Sequence, residues 1–335
     1  MDFTPPSSPF TPRLPHPPLP VPPTTTNTLG ILSTHLIPSL TLHTTLSLAA
    51  YSAGRFTNRL DSKDLLWPSA LVANAWYHGV VSPYVVGRAK GGVWECIRDM
   101  GYAQKLILAG VTVWGVRMFG KVFWRVKGRR GDDGRYQRYR DAVRKRRKER
   151  TDTEKGKGEA LEEGEVEREV WNKAFLGIFV PEAVVGSLVS LGWSAVRYST
   201  PINAVGALDG GWRKVLHGFA VGLFATGLAL EIMTDSGSNG QEQQESNNVY
   251  RGGYFGDCLV HLAFPLIALA DGVFNPAMIV GPVSNYLFLR RESLRDDRDK
   301  RKAPRTPRSV WRLAATGISI GTLAAGVEWG CVHYF

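Results

Sequence analysis

The 335-residue sequence contains only three cysteines, Cys96, Cys258 and Cys331. None of them has a second cysteine or a pair of histidines nearby, which excludes a disulfide-rich secreted scaffold and predicts no zinc site. The sequence also lacks a glycine-rich phosphate loop of the kind that follows a strand in βαβ units. A content of 44% apolar and 21% charged residues excludes an intrinsically disordered chain.

Charge and proline are scarce over most of the chain because they are concentrated in a few blocks. Met1–Asn27 holds ten of the twenty prolines and predicts a disordered Pro-rich tail over residues 1–28, without the apolar region of a secretory signal. Lys127–Arg150 contains twelve Lys and Arg residues, and Arg290–Arg312 contains ten. Basic blocks beside apolar segments usually set membrane topology and contact anionic lipid. We therefore expect membrane lipids, and no nucleic acid, as partners.

Between these blocks lie apolar runs that approach or exceed the roughly 20 residues that cross a membrane. Leu29–Gly54 and Leu65–Gly87 contain no charged residue. Val215–Ala229 is apolar all round, whereas a surface helix of a soluble protein has a polar face. The sequence therefore predicts an all-α, polytopic membrane helical bundle with about seven to eight transmembrane segments. The further runs are Ala103–Trp124, Ala174–Val196, Val215–Thr234, Cys258–Leu289 and Ser309–Tyr334.

Cys258–Leu289 is too long for one crossing and has turn signals in its middle. Asp-Gly and Asn-Pro are turn dipeptides, and Pro276 disfavours helix at Asn275. We therefore predict a helical hairpin with arms Cys258–Ala270 and Ala277–Leu289. Four crossings then separate the two basic blocks, so both can be cytosolic, with both chain termini in the lumen. The predicted organisation is N-terminal membrane helices over residues 29–126, a charged cytosolic loop over 127–173 and a C-terminal membrane region over 174–335. We expect the acidic stretch that follows the first basic block to pair with it or to form a charged helix.

A few ionisable side chains lie within the apolar runs, and each is a candidate functional residue because such groups are costly in a membrane. Two structural alternatives stay open. Arg117 and Glu182 could form an interhelical pair, and Lys121 with Arg125 could extend toward the cytosolic interface. The candidates are Arg117, Glu182, Glu231, His261 and Asp271.

Several strings in this order carry a resemblance to one family. They are KDLLWPSALVANAW (Lys63–Trp76), VTVWGVRMF with GRRGDDGRY (Val111–Tyr136), WNKAFLGIFVPEA (Trp171–Ala183), LALEIMTD (Leu228–Asp235), YRGGYFGDCLVHLAFPL (Tyr250–Leu266) and GPVSNYLFLR (Gly281–Arg290). On these strings the chain resembles the fungal steroid 5-alpha-reductase-like membrane proteins, in the branch whose domain has no assigned function. The resemblance covers about Lys63 to Arg290.

The resemblance implies a fold shared with isoprenylcysteine methyltransferases and sterol reductases, in the endoplasmic reticulum membrane. It implies an oxidoreductase acting on CH–CH groups, in which NADPH binds on the cytosolic side and hydride goes to the β-carbon of an enone in an apolar lipid or sterol. Tyr254 and Asp257 are then expected near the reaction centre. The implied cofactor-binding residues are Trp114, Arg117, Asp133, Arg135, Tyr136, Glu231, Asp235 and Tyr250.

The sequence departs from the family pattern between Gly253 and Tyr254. There the family carries an arg-his-pro-asn segment, which is absent from all 335 residues. Three hypotheses remain open. The chain is a reductase with a gap in the gene model or a small deletion, a non-catalytic membrane scaffold of the same fold, or an isoprenylcysteine-methyltransferase-like enzyme. The last of these also expects the missing segment.

Overall fold

The computed structural model describes residues 30, 32–85, 92–129, 131–154, 163–198, 210–236, 246–273 and 275–299. Its regular elements are helices, with no strand among the described residues, which confirms the predicted all-α class. Three helical stretches are long and apolar enough to cross a membrane, namely Tyr102–Lys127, Gly164–Ser194 and Gly211–Asp235, and Tyr254–Ala270 is a shorter apolar helix. The predicted tail over 1–28 and the last apolar run, Ser309–Tyr334, lie outside the described residues.

The described residues in the first half of the chain form three long helices and one short helix. A π-helical turn, Leu32–Leu36, leads into α1 (Ile37–Thr57), which ends at Asn58 in the left-handed conformation (φ 55°). Asparagine tolerates this conformation better than most residues, so the chain can turn sharply there. The other elements are α2 (Ser62–Trp76), which continues through a π-helical turn (Tyr77–Val81) into Ser82–Val85, α3 (Val93–Arg98) and α4 (Tyr102–Lys127).

The second half of the chain begins with two charged helices and then returns to the bundle. These are α5 (Gly134–Glu154) and α6 (Glu163–Ala174), and a π-helical turn (Phe175–Phe179) joins α6 to α7 (Val180–Ser194). A 3₁₀ turn, Ala195–Tyr198, ends α7. The remaining helices are α8 (Gly210–Ser236), α9 (Ser246–Ala270) and α10 (Ala277–Asp299).

The break between α9 and α10 confirms the predicted hairpin. Helix α9 ends at Ala270 and α10 begins at Ala277, as the turn dipeptides indicate. Gly272 has φ 81°, which favours glycine, and the Asn275 side-chain oxygen accepts the Ala277 N–H at 2.9 Å. The first arm is longer than predicted, because α9 begins at Ser246 and runs without a break through Gly253–Tyr254.

Helix packing places one apolar core in the middle of the bundle. Helix α8 packs against α9, α10 against α7, α4 against α2, and α1 against both α2 and α7. Trp114, Phe264 and Met278 are fully buried in this core and come from three different helices. A second core, around Leu60 and Val170, lies where α5 and α6 cover one end of the bundle.

Helices α5 and α6 pair the basic block with the acidic stretch, as predicted. The Arg140 guanidinium is buried, donates to the Asp132 carboxylate at 2.7 Å, pairs with Glu167, and lies over the Trp171 ring with 5.5 Å to the centroid. Arg147 donates to Glu169 at 3.2 Å. The described part of the charged loop therefore forms two ion-paired helices at the end of the bundle.

Candidate functional site

Helices α4 and α8 bring oppositely charged side chains together inside the bundle. Arg117 donates to the Glu231 carboxylate with 2.5 Å between Nη1 and Oε2, and its other terminal nitrogen pairs with Asp235. Trp114 donates its indole N–H to Glu231 Oε1 at 3.2 Å, and Lys121 also pairs with Asp235. The spacings 114, 117 and 121 on α4 and 231, 235 on α8 each follow one helix face. Both oxygens of Glu231 are thereby satisfied.

Helix α9 extends this set toward α10. His261 donates through Nδ1 to the Asp257 carbonyl oxygen at 2.9 Å, and its ring meets the Trp114 ring edge to face at 4.9 Å. The Asn285 amide of α10 donates to Asp257 Oδ2 at 3.2 Å. We call the eight residues from four helices the central cluster. They are Trp114, Arg117, Lys121, Glu231, Asp235, Asp257, His261 and Asn285.

The close approach of α8 and α9 depends on two glycines. A Cβ added at Gly227 would lie 2.6 Å from the Gly256 carbonyl oxygen, and one added at Gly256 would lie 2.6 Å from the Gly227 carbonyl oxygen. Small residues allow helices in membranes to pack with their backbones in contact. Gly256 also lies beside Glu231, so this crossing sets the distance between the acidic residues of the two helices.

A second polar group, which we call the basal cluster, lies at the end of the bundle covered by α5. Tyr136 donates its phenol O–H to Asp64 Oδ1 at 2.6 Å, and Arg135 donates to Asp64 Oδ2 at 2.9 Å. Lys63 lies 2.9 Å from Glu182 Oε2. The basal cluster consists of Lys63, Asp64, Asp133, Arg135, Tyr136 and Glu182.

Burial and neighbouring charges shift the pKa values in the basal cluster. Burial opposes the charged form of Lys63, but Glu182 and Asp64 outweigh it and raise the pKa of the ammonium group well above its usual value. Burial, together with Asp64, raises the pKa of Tyr136 well above its usual value, so the phenol stays neutral and keeps its proton for Asp64. The Arg135 pKa is raised because Asp64 and other neighbours, including Tyr254 of α9, outweigh desolvation. Tyr254 therefore lies near the basal cluster, one turn from Asp257.

Asp133 caps the N-terminus of α5. Its Oδ1 accepts the Arg135 backbone N–H at 3.1 Å, and its Oδ2 accepts a hydrogen bond from Arg129 at 2.5 Å. Burial opposes the carboxylate, but these bonds and the charges of Arg135 and Arg129 hold its pKa below the usual value. A carboxylate at a helix N-terminus also complements the helix dipole.

Replacement of Asp133 by alanine is expected to lower the free energy of unfolding by about 1 kcal/mol at pH 7, because the cap is lost. A folded-state pKa below the unfolded value of about 4 means that the stabilisation is present above that pH and disappears as the pH falls through the folded pKa. Melting temperatures of the wild type and Asp133→Ala should therefore converge below about pH 4. Asp141→Ala, on the same helix with a 72% exposed side chain, is the matched control, and an equal effect of both changes would contradict the capping role.

The structure divides the residues that the resemblance assigns to one cofactor site. Trp114 and Arg117 belong to the central cluster with Glu231 and Asp235, whereas Asp133, Arg135 and Tyr136 belong to the basal cluster. On α9, Asp257 belongs to the central cluster, and Tyr254 lies one turn earlier, on the side of Arg135. Tyr250 lies in the same helix, and its side chain is outside those that the structure describes.

Two structural alternatives for the charged residues are corrected. Arg117 pairs with Glu231 and Asp235 of α8 and not with Glu182, which instead lies beside Lys63. Lys121 pairs with Asp235 and does not extend freely toward an interface. Of the two remaining candidates, His261 joins the central cluster, whereas Asp271 is exposed at the hairpin turn, far along α9 from Asp257.

The two clusters suit the ribose and carboxamide groups of a dinucleotide better than its phosphate groups. Carboxylates and phenols such as Glu231, Asp257 and Tyr254 are suitable partners for ribose hydroxyls and a carboxamide. The guanidinium groups that would bind phosphates bidentately already hold carboxylates, Arg117 in the central cluster and Arg135 in the basal cluster. A phosphate would have to replace a carboxylate, and Arg135, with a side chain 37% exposed, is the more accessible of the two.

A third polar set was missed in the sequence. His35, Ser39, His43 and Ser47 recur every four residues and are all buried against the neighbouring helices. Ser39 bonds to His78 of the α2 extension at 2.9 Å, and His43 bonds to Ser190 of α7 at 3.0 Å. The sequence feature that indicates this polar set is the i, i+4 spacing of polar residues in a run without charge. Among the described residues, no group of three or more His, Cys, Asp or Glu side chains could hold a metal ion.

Comparison of the chain with protein-family models, with curated proteins and with solved structures gives no match. The resemblance to steroid 5-alpha-reductase-like proteins therefore depends on the sequence strings alone, and the reductase activity is a proposal.

Proposed function

We propose that this protein is an integral membrane protein of the steroid 5-alpha-reductase-like group, which uses NADPH to reduce a carbon–carbon double bond of a lipid or sterol. The observation that supports it is the convergence of the implied residues. Arg117, Glu231 and Asp257 come from three helices, and the first and last of them are more than a hundred positions apart in the sequence. They nevertheless form one cluster, in which both carboxylates are buried. Ionisable groups among membrane helices are costly, and they usually mark a functional site.

The reaction requires a proton donor at a carbonyl and a pocket that excludes water. Bound NADPH would supply hydride to the β-carbon of the enone. Tyr254, near Arg135 and one turn from Asp257, is the residue that we propose to donate a hydrogen bond to the substrate carbonyl. Asp257 is oriented by Asn285 and by its contact with His261, with 3.4 Å between His261 Nδ1 and Asp257 Oδ1.

We further propose that the end of the bundle carrying the basal cluster faces the cytosol of an endoplasmic-reticulum-type membrane. Arg59, Lys63 and the basic helix α5 all lie at this end, and the positive-inside rule places such loops in the cytosol. With eight crossings, the hairpin counted as two, both chain termini would be lumenal. NADPH would then enter from water at the basal cluster, while an apolar substrate would reach the central cluster sideways from the lipid.

Binding of NADPH tests the proposal on the purified full-length protein in lipid nanodiscs. Arg135→Gln is expected to weaken NADPH binding about tenfold, the effect of losing one charge-assisted bond to phosphate. Arg138→Gln is the matched control because it removes an exposed cation one turn later on α5. Equilibrium dialysis with radiolabelled NADPH measures both. A folded wild-type protein that binds no NADPH would overturn the proposal for this chain.

The pairing of the cationic groups favours a second candidate, a non-catalytic membrane scaffold of the same fold. Arg117 and Arg135 are both held by carboxylates, and α9 continues without interruption where the family has its arg-his-pro-asn segment. Sequencing the transcript across the codons for Gly253 and Tyr254 separates the two candidates. An in-frame exon that encodes the missing segment supports the enzyme, whereas a continuous transcript together with no NADPH binding supports the scaffold.

A further inference from the structure

Helix α6 extends beyond the part of the bundle that a membrane can cover. The helical stretch Gly164–Ser194 has 31 residues and is therefore about 46 Å long, whereas the hydrocarbon core of a bilayer is about 30 Å thick. The excess lies at the α6 end, because that end carries the charged residues whereas Ser194, at the other end, is buried. Helix α6 therefore projects from the bundle into the aqueous phase.

Helix α5 runs outward along this projecting helix. Arg140 donates to the Asn58 carbonyl oxygen, at the end of α1, with a distance of 3.0 Å. Arg147 donates to the Glu165 carbonyl oxygen, near the outer end of α6, at 2.9 Å. The two helices are therefore antiparallel, and Arg150 lies about 15 Å beyond the level of Arg140, since an α-helix rises 1.5 Å per residue.

The outer sides of α5 carry further cations. Arg140, Arg144 and Arg147 pair with glutamates of α6. Four other cations near the end of α5 are exposed and form no ion pair within the part of the chain that the structure describes. They are Lys145, Arg146, Lys148 and Arg150. The connection over residues 155–162 contains two lysines and two glutamates, so it adds no net negative charge to balance them.

The position of these four cations disfavours the surrounding bilayer as their partner. The potential of an anionic membrane surface falls off within the Debye length, about 8 Å at physiological salt, and Arg150 lies about 15 Å out. Lys127, at the end of α4, remains within reach of lipid head groups. A second copy of the chain is also disfavoured, because two such basic surfaces repel each other.

The arrangement of the cations disfavours any flat surface. Lys145 and Lys148 lie on one side of α5, whereas Arg146 and Arg150 lie on another, because successive residues turn by 100°. A second, facing bilayer could contact only one of these sides, whereas a flexible chain can reach both. Helix α6 shows the chemistry that fits, since its closely spaced glutamates pair with three arginines of α5.

We propose that the outer sides of α5 over Lys145–Arg150 bind an acidic segment of a cytosolic protein. Its Asp and Glu side chains pair with the four exposed cations, as the glutamates of α6 do on the inner side. The binding surface depends on the membrane assignment of the bundle, and its cytosolic location depends on the proposed orientation. It is independent of the central cluster and of the reductase activity.

Fluorescence polarisation on the full-length protein in phosphatidylcholine nanodiscs tests the proposal. The probe is a fluorescein-labelled peptide of eight Glu-Gly repeats, and a peptide of eight Gln-Gly repeats is the neutral control. We expect saturable binding of the acidic peptide only. The triple variant Lys145→Gln, Arg146→Gln, Lys148→Gln should raise the dissociation constant about tenfold, the combined effect of three exposed ion pairs.

A second triple variant is the matched control. Arg55→Gln, Arg125→Gln, Lys127→Gln removes the same charge at the ends of α1 and α4 and should change the dissociation constant less than twofold. Equal weakening by both triple variants, or no saturable binding by the wild type, would overturn the proposal. Melting temperatures show that both variants are folded.

Nanodiscs that contain 30% phosphatidylserine separate a protein partner from the bilayer. An outward-projecting α5 should bind the acidic peptide with nearly the same affinity in these discs, since its cations lie beyond the Debye length of the lipid surface. Loss of peptide binding there would show that α5 binds its own bilayer instead. Peptide binding is measured without NADPH, so its outcome is separate from that of the cofactor-binding experiment.

Discussion

Replacement of Arg117 by alanine is expected to lower the free energy of unfolding by about 3–5 kcal/mol, the effect of breaking a buried ion pair by removing one partner. The change leaves the Glu231 carboxylate, with a side chain only 3% exposed, without its cation and deprives Asp235 of one of its two cations. The Trp114 indole N–H alone cannot compensate for the charge of Glu231. The midpoint of SDS-induced unfolding in mixed micelles measures the effect.

Two further variants separate the ion pair from the general effect of removing an arginine. Arg125→Ala removes a half-buried arginine two turns later on α4 and is expected to change stability by less than about 1 kcal/mol. The double variant Arg117→Met, Glu231→Gln removes both charges of the buried pair, leaves Asp235 with Lys121 as its cation, and should recover part of the loss, because neutral replacements of a buried ion pair are often tolerated. Equal stability of Arg117→Ala and Arg125→Ala would mean that the pair does not form inside the bundle.

Features with a local cause could be predicted from the sequence. The hairpin break at Asp271–Pro276 was predicted correctly, since a proline and a left-handed glycine act on their immediate neighbours. The pairing of α5 with α6 was one of the two outcomes predicted for the acidic stretch, because a strongly basic and a strongly acidic segment close together in the sequence attract each other. Both predictions needed only the order and type of nearby residues.

The partners of Arg117 could not be predicted from local sequence. Glu182 and Glu231 are both single acids within apolar runs, and the choice between them depends on which helix packs beside α4. The Gly227–Gly256 contact brings α8 and α9 together, and α8 in turn supplies Glu231 to α4. Such a choice depends on contacts between residues far apart in the chain, and a single sequence contains no direct signal for them.

The histidine and serine stripe of α1 was missed for another reason. Neutral polar residues are compatible with a transmembrane segment, so His35 and Ser39 were assigned to a membrane span. In the structure every fourth residue from His35 to Ser47 is polar and buried, Ser39 bonds to His78, and His43 bonds to Ser190. A run without charge can therefore present a polar face to the rest of the bundle and an apolar face to lipid.

Gly227→Ala is the second change for which we expect a large loss of stability, about 3 kcal/mol or more, at or beyond the upper end of overpacking effects. Its added methyl group would lie 2.6 Å from the Gly256 carbonyl oxygen and 2.9 Å from the Val260 backbone nitrogen, and both are backbone atoms that cannot rotate away. The helices must separate to admit it. The same unfolding measurement in mixed micelles records the change.

Gly218→Ala is the matched control, because it lies on α8 and a Cβ there meets no atom within 4 Å. In a helix, alanine is more favourable than glycine by about 1 kcal/mol, so this variant should be slightly more stable than the wild type. A loss of stability in Gly227→Ala together with a gain in Gly218→Ala would show that α8 and α9 are in contact at Gly227. If Gly227→Ala were as stable as Gly218→Ala, the close contact of α8 and α9 at Gly227 would be contradicted.

Glu231 lies one turn after Gly227, and Asp257 directly follows Gly256, so separation of these helices would also open the central cluster. Gly227→Ala should therefore lose NADPH binding under the proposed function, whereas Gly218→Ala should keep it.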